Sequence, residues 1–334
     1  MGTPIWDGFF GSVAYLRRGS IEFGQQRAAS VVRNALPTIQ QESSLGVGTQ
    51  RSVVCREIRL ADKERVAQLL ARGFVGRKRV FWDNALATLA RHQAPPGYPQ
   101  FGYLLECDGK LVGCLLLVFT AVGQPGTEPI RCSVSSWYTE PAFRGYSALM
   151  AARALRFKSV TYFNITPHPK TYSALEAQGY RRYCDGRFIC IPTLRHEHND
   201  ASVMVVESDG ALADGFPEWE MRLLREHAGY GCLSLICTLD GRNYPFVFLQ
   251  TRMLPGIRSA YLAYCRDIAD FRRFAGPLGR FLLRRGTFTV ELDSSAAIAG
   301  LAGVYVGGAP KYFKGSAKPR IGDLSYSERA MFNF

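Results

Sequence analysis

Residues 131 to 157 read RCSVSSWYTEPAFRGYSALMAARALRF, a strand that turns sharply and becomes a helix. Val134, Trp137 and Tyr138 are strand formers, Pro141 and Gly145 mark the bend, and Ser147 to Phe157 are rich in helix formers. A helix that starts straight after a strand offers free backbone N–H groups and the positive end of its dipole. That combination favours a phosphate or pyrophosphate without help from a charged side chain.

The flanking sequence gives this junction a setting. Upstream, Val53 to Leu60 alternates like a half-buried strand, and apolar residues at helical spacing follow through Val66, Leu69 and Leu70. A second helical pattern runs from Val80 to Arg91 and stops at the breaker of residues 94 to 99. Tyr103 to Glu106 and Leu111 to Phe119 flank Cys107-Asp108-Gly109-Lys110, and Asp-Gly between two apolar runs predicts a hairpin. Downstream, Val160 to Ile165 predicts a fifth strand and Tyr172 to Gly179 a short helix ending at a glycine.

Pro141-Ala-Phe-Arg144-Gly145-Tyr146-Ser147-Ala148-Leu149 resembles the acyl-CoA loop of the GNAT acyltransferase superfamily, Pro-x-x-[Arg/Gln]-x-x-Gly-x-[Gly/Ala]. Pro141, Arg144 and Gly145 fall where that family puts them, while Ser147 and Leu149 stand at its small positions. The resemblance covers residues 53 to 192 and implies a mixed α/β fold, a mostly antiparallel sheet flanked by helices. It further implies acetyl-CoA or a longer acyl-CoA as co-substrate, with no metal. The CoA would lie on Tyr138, Thr139 and the run Arg144, Gly145, Tyr146, Ser147 and Ala148, and an acceptor amine or hydroxyl would attack the thioester directly. Where the family often carries a tyrosine as general acid, the corresponding run Leu175-Glu-Ala-Gln-Gly179-Tyr180 has Leu175.

A general base is also needed, and the fourth strand has no carboxylate before Thr139. Glu140 at its end is the nearest, and Glu106 the next. Tyr172, one turn before Leu175, stands in for the missing acid, and His168 suits either role. Arg131, His168, Tyr172, Arg252 and Lys311 are expected to reach an anionic or hydroxyl-bearing acceptor in a groove between the two halves.

Length and composition set the outer bounds. With 334 residues and 47% apolar content the chain is expected to hold two domains. These are residues 51–195, carrying the acyl-CoA site, and 196–334, with 1–50 as an N-terminal segment and linker. The longest apolar run, Cys114 to Phe119, is too short to span a bilayer, and the N-terminus lacks a basic start followed by an apolar core. Nine cysteines without paired spacing fit a reducing cytoplasm and read as small buried hydrophobes. Residues 1 to 199 hold 25 Lys and Arg against 14 Asp and Glu, and residues 200 to 334 hold 16 against 14. The basic half is thus the one with the loop, as a CoA binder requires, although the charge suits RNA equally.

The second half echoes the first. Strands at 203–207, 233–239, 244–251, 260–264 and 288–292 surround a helix at 219–227, and Asp240-Gly241 lies 132 residues after Asp108-Gly109. Arg273-Phe-Ala-Gly276-Pro277 follows Arg144 by 129 residues and is expected to form a second, spoiled loop, because Pro277 has no N–H to offer a phosphate. The Gly-rich run 299–308 and the basic Lys311 to Arg320 read as a flap or an edge loop. His196-Glu197-His198 and Asp200 form a polar connection, without the fixed helical geometry of a zinc site. Two other functions remain open: a non-catalytic acyl-CoA-binding or interaction module, and an aminoacyl-tRNA-dependent transferase.

Overall fold

The structure is a computed structural model that describes residues 52–332 apart from 124, 125, 127, 199, 211–214, 255 and 256. The N-terminal segment of residues 1–50 lies outside the described residues. From Val53 onward the chain forms one compact unit.

Its frame is a single twelve-stranded sheet. The first half supplies β1 (Val53–Glu57), α1 (Lys63–Gly73), α2 (Arg79–Arg91), β2 (Gly102–Cys107), β3 (Lys110–Ala121), β4 (Ile130–Thr139), α3 (Ser147–Ala154), β5 (Thr161–Asn164), α4 (Tyr172–Ala177) and β6 (Arg181–Cys190). The second supplies β7 (Ser202–Val205), α5 (Glu218–Gly229), β8 (Leu233–Leu239), β9 (Arg242–Leu254), β10 (Ile257–Cys265), α6 (Ile268–Arg284), β11 (Thr287–Ser294), β12 (Gly303–Lys314) and α7 (Glu328–Phe332). The strand order is β1-β2-β3-β4-β5-β12-β6-β11-β10-β9-β8-β7. Among the described residues, only β4 with β5 and β10 with β11 run parallel.

That order is a repeat with an exchange at its centre. β1 to β5 and β7 to β11 are laid out alike. The last strand of each half then leaves its own side: β12 pairs with β5 and β6, while β6 pairs with β12 and β11. The two hairpin turns keep their spacing and share a conformation, with φ of 49° and 76° at Asp108-Gly109 and 51° and 70° at Asp240-Gly241. These are the left-handed values that a two-residue hairpin turn with the strands' own twist demands.

Alternation along the strands feeds two core layers in each half. On β3, Val112, Leu115, Leu117 and Phe119 pack with Met150 and Ala154 of α3, whereas Leu111, Cys114, Leu116 and Val118 pack with α1 and α2. In the second half, Phe271, Phe274, Leu278 and Leu282 of α6 cover one face, and Met221, Leu223 and Leu224 of α5 the other. α7 lies across the junction, with Met331 and Phe332 in the α1/α2 layer and Ala330 in the α5 layer. All nine cysteines are unpaired, eight of them buried.

Two expectations need correction. The Arg273 to Gly279 run is no loop but the middle of α6, which begins at Ile268 because the Asp267 side chain accepts the Ala269 N–H. Gly276 and Gly279 serve close packing instead: a Cβ at Gly276 would run into the Arg195 carbonyl, and one at Gly279 would come within 2.6 Å of the Thr193 N. Gly303 to Gly308 of the Gly-rich run and Lys311 form neither flap nor edge loop, since they lie in β12 at the centre of the sheet, and only residues 299–302 precede it as a turn. There Gly303 lets the β6 backbone approach at Ile189.

Gly276→Ala is therefore expected to lower unfolding free energy by roughly 1–3 kcal/mol, since a backbone atom cannot yield to the new methyl. Gly145→Ala, where a Cβ meets open space, is expected to change little. Paired urea titrations of both variants test the contrast.

Candidate functional site

β4 and β5 form the fork on which a site can be built. They pair over only three residues, Arg131 with Thr161, Cys132 with Tyr162 and Ser133 with Phe163, and then part. Just past the parting, β4 carries a bulge: Cys114 faces Tyr138 and Leu116 faces Ser135, so two residues, Ser136 and Trp137, stand opposite the single Leu115. Ser136 sits there at φ 41°, a left-handed value rare for a residue with a Cβ. A bulge leaves the extra residue unpaired and locally withdraws backbone groups from the ladder.

The chain leaves β4 through a 3-10 turn, Pro141–Tyr146, that runs into α3 without a break. The sequence predicted a tight loop leading straight into the helix, and the structure winds that loop into a helical turn. The Ser147 N–H donates to the Arg144 carbonyl, and Ser147 Oγ donates to Thr139 Oγ1 at 2.9 Å, tying α3 to the end of β4. Arg144, Gly145 and Tyr146 on this turn and Ala148 in the first turn of α3 are exposed. The Tyr138 ring points to the other face, against Gly73 and Phe74 of the α1 segment.

The acid–base candidates are spread out. Glu140 is held by Arg72 at 3.1 Å and Lys110 at 3.6 Å, and Glu106 by Arg56 and Arg65. Both are engaged in ion pairs on the outer part of the first half. His168 is exposed, and its Nδ1 accepts from the Lys170 N–H as the cap of a short 3-10 turn. Tyr172 is half-buried against Tyr312, 5.7 Å between rings, and burial raises its phenol. Leu175 is buried in the core.

Two of the proposed acceptor contacts are already satisfied inside the protein. Arg131 makes two bonds to Asp323, at 2.6 and 3.0 Å. Lys311 is buried with Asp293 at 2.5 Å and the Tyr261 hydroxyl at 2.9 Å. Burial pulls the Lys311 ammonium down while Asp293 holds it up. Arg252 is exposed on β9. Among the described residues no three His, Cys, Asp or Glu side chains gather as a metal site, and His198 stacks near Phe274 at 6.0 Å. No helix of the described residues is long and apolar enough to cross a membrane.

Sequence reasoning missed one group altogether. Glu328 of α7 is fully buried, and its carboxylate accepts from Ser133 Oγ at 2.7 Å and Thr166 Oγ1 at 2.8 Å. The segment leading into α7 is fixed by the second half, where His227 of α5 places Nε2 2.9 Å from the Ser325 carbonyl. Burial lowers His227 and raises the Glu328 carboxyl. No local motif announces Glu328, since five residues at the end of a chain carry no pattern of their own.

No family model matches the sequence, and no curated protein matches it. Solved structures do. A GCN5-related N-acetyltransferase from Anabaena variabilis superposes with a TM-score of 0.53 over 79% of this chain and 72% of its own, at 11% identity. One from Kribbella flavida gives 0.50 over 79% and 71%, at 12% identity. A Pyrococcus horikoshii protein classed as an acetyltransferase gives 0.51 over 86% and 96%, at 12% identity. At such identities the likeness is one of fold, and the fold is that of the GNAT N-acetyltransferases.

The Arg131–Asp323 pair gives this region a stability test. Arg131→Ala leaves a buried carboxylate with only Arg320, at 3.5 Å, and is expected to cost about 3 kcal/mol in urea titrations. The R131A/D323A double variant is expected to lose less than the two single losses added together.

Proposed function

We propose that this chain transfers an acyl group, acetyl or longer, from acyl-CoA to an amine or hydroxyl of an acceptor. The observation that carries the reading is the fork between β4 and β5 with the Ser136 bulge beside it. A pantetheine arm laid along the parted strand takes main-chain hydrogen bonds as an added strand would. A backbone N–H freed at the bulge is the kind of donor that stabilises the oxyanion as the thioester is attacked. The exposed turn from Arg144 to Ala148, at the start of α3, suits the pyrophosphate.

In this reading residues 51–195 carry the donor site, and 196–334 are a degenerate copy of the same unit that lends support and acceptor contacts. Its fork has no equivalent turn: only Arg266 and Asp267 separate β10 from α6, and the Asp267 carboxylate occupies the helix start where a phosphate would sit. Acceptor binding then falls on the α1/α2 face, opposite α3. A binding module without turnover is the second reading. Buried Leu175, where the resembling enzymes often have a tyrosine, favours it.

Thermal shift with acetyl-CoA and longer acyl-CoAs tests the proposal, since a ligand of the folded state adds about 2.7 kcal/mol at 100-fold its Kd. Gly145→Val and Ser147→Glu are expected to abolish that shift by crowding the backbone and repelling the phosphates. Position 145 has open space for a side chain, so a lost shift in Gly145→Val reports binding rather than misfolding. Full acyl-CoA affinity in both variants rules out this site.

A further inference from the structure

β4 reaches the fork with hydroxyls where a base is needed. Cys132 and Val134 belong to the core layer under α3, so Ser133 faces the opposite, α1/α2 side. The carboxylate missing from the strand arrives from 195 residues away along the chain.

Resting on the acyl-CoA function above, we propose that Glu328 is the general base that takes the proton from the attacking acceptor. Ser133 is the last residue of β4 paired with β5, and Thr166 lies two residues beyond the end of β5. The Glu328 carboxylate thus spans the fork, Oε2 on one prong and Oε1 on the other. A thioester entering from the α3 side meets a carboxylate waiting on the far face. Thr166 is exposed, so Oε1 is one hydroxyl away from solvent. An incoming amine replaces that hydroxyl as the donor to Oε1.

The chemistry balances on groups already named. The amine nitrogen attacks the thioester carbon and forms the C–N bond, and its proton passes to Glu328. The tetrahedral intermediate then collapses with cleavage of the C–S bond, the CoA thiolate takes up a proton from solvent, and Glu328 gives its own back to solvent, which leaves amide and free thiol. Burial raises the Glu328 carboxyl, while Ser133, Thr166, its own backbone N–H and Lys311 on β12 restrain the rise. On β4 the Cys132 thiol senses the same charge, and Arg131 is engaged with Asp323. From the helices beside α7, His92 faces the Phe119 carbonyl, Glu226 accepts from Tyr326, and His227 faces Ser325. On α7 itself, Arg329 lies over the Tyr261 ring, 4.3 Å from its centre.

The test uses the full chain, acetyl-CoA and a panel of primary amines, read by thiol release, with acetyl-CoA affinity by calorimetry. Glu328→Gln keeps both hydroxyl partners within reach. It is expected to leave acetyl-CoA affinity within about twofold, lower kcat/KM by roughly 100- to 10,000-fold and erase the acidic limb of the pH profile. Ser133→Ala removes a donor that stabilises the carboxylate, so the group's pKa rises and the acidic limb moves to higher pH. Amine-dependent turnover in Glu328→Gln within about threefold of the parent overturns the base assignment and leaves the transferase reading standing. Acetyl-CoA binding by the parent with no thiol release on any amine overturns the base assignment together with transfer to amines and favours the binding module instead. A parent chain that binds no acyl-CoA overturns both. If Glu328→Gln fails to fold, the Ser133→Ala profile decides: an unmoved acidic limb refutes the assignment.

Discussion

Everything in the molecule depends on backbone pairing at the centre of the sheet, where β12 fills the place between β5 and β6. Without it, β5 and β6 would each present a row of unpaired N–H and C=O groups, a costly and aggregation-prone edge. β6 fills the matching place between β12 and β11. Neither half closes its own sheet, so the connection around residue 195 marks no break in the structure. The exchange also carries residues 315 to 332 back across the junction and sets α7 between α2 and α5.

The same exchange gathers charge in the interior. Lys311 with Asp293 and Tyr261, Arg131 with Asp323, and Glu328 with Ser133 and Thr166 all lie around the four central strands. Buried pairs of this kind gain little net stability, because desolvation consumes most of the attraction. Their value is in selection: a second half that failed to exchange its strand would leave Asp323 without Arg131 and Glu328 without Ser133 and Thr166. Gly303 lies close to the Ile189 backbone and Gly186 to the Val306 backbone, and the buried charges add definition to the register that such glycine contacts leave loose.

The two forks differ for a physical reason visible at their ends. After β4, the turn from Pro141 to Tyr146 leaves exposed backbone before a helix of eight residues. After β10, Asp267 caps a helix of seventeen residues at once. A carboxylate at a helix start takes the N–H groups and the favourable dipole that an anion would otherwise use. The asymmetry of function proposed for the halves follows from that single cap more than from Pro277, which lies mid-helix.

Strong periodic segments were legible from the residues alone. Both hairpins with their Asp-Gly turns, the strand-turn-helix of 130–154 and the α1, α2 and α5 patterns follow from local alternation and turn chemistry, which act over a few residues and need no distant partner. β12 was not legible, because its glycines and its solvent-facing first half mimic a loop and only the edges of β5 and β6 make it a strand. Nor was the length of α6, where Gly276 and Pro277 read as breakers until packing against residues 192–195 explains the glycines. For the site, the sequence by itself determined the strand, sharp turn and helix of residues 131–157 and the absence of a carboxylate on β4. Only the tertiary structure decided that Glu140 is bound in ion pairs and that Glu328 stands in the fork. Proximity between residues 133 and 328 is a property of the exchanged sheet, and no local pattern encodes it.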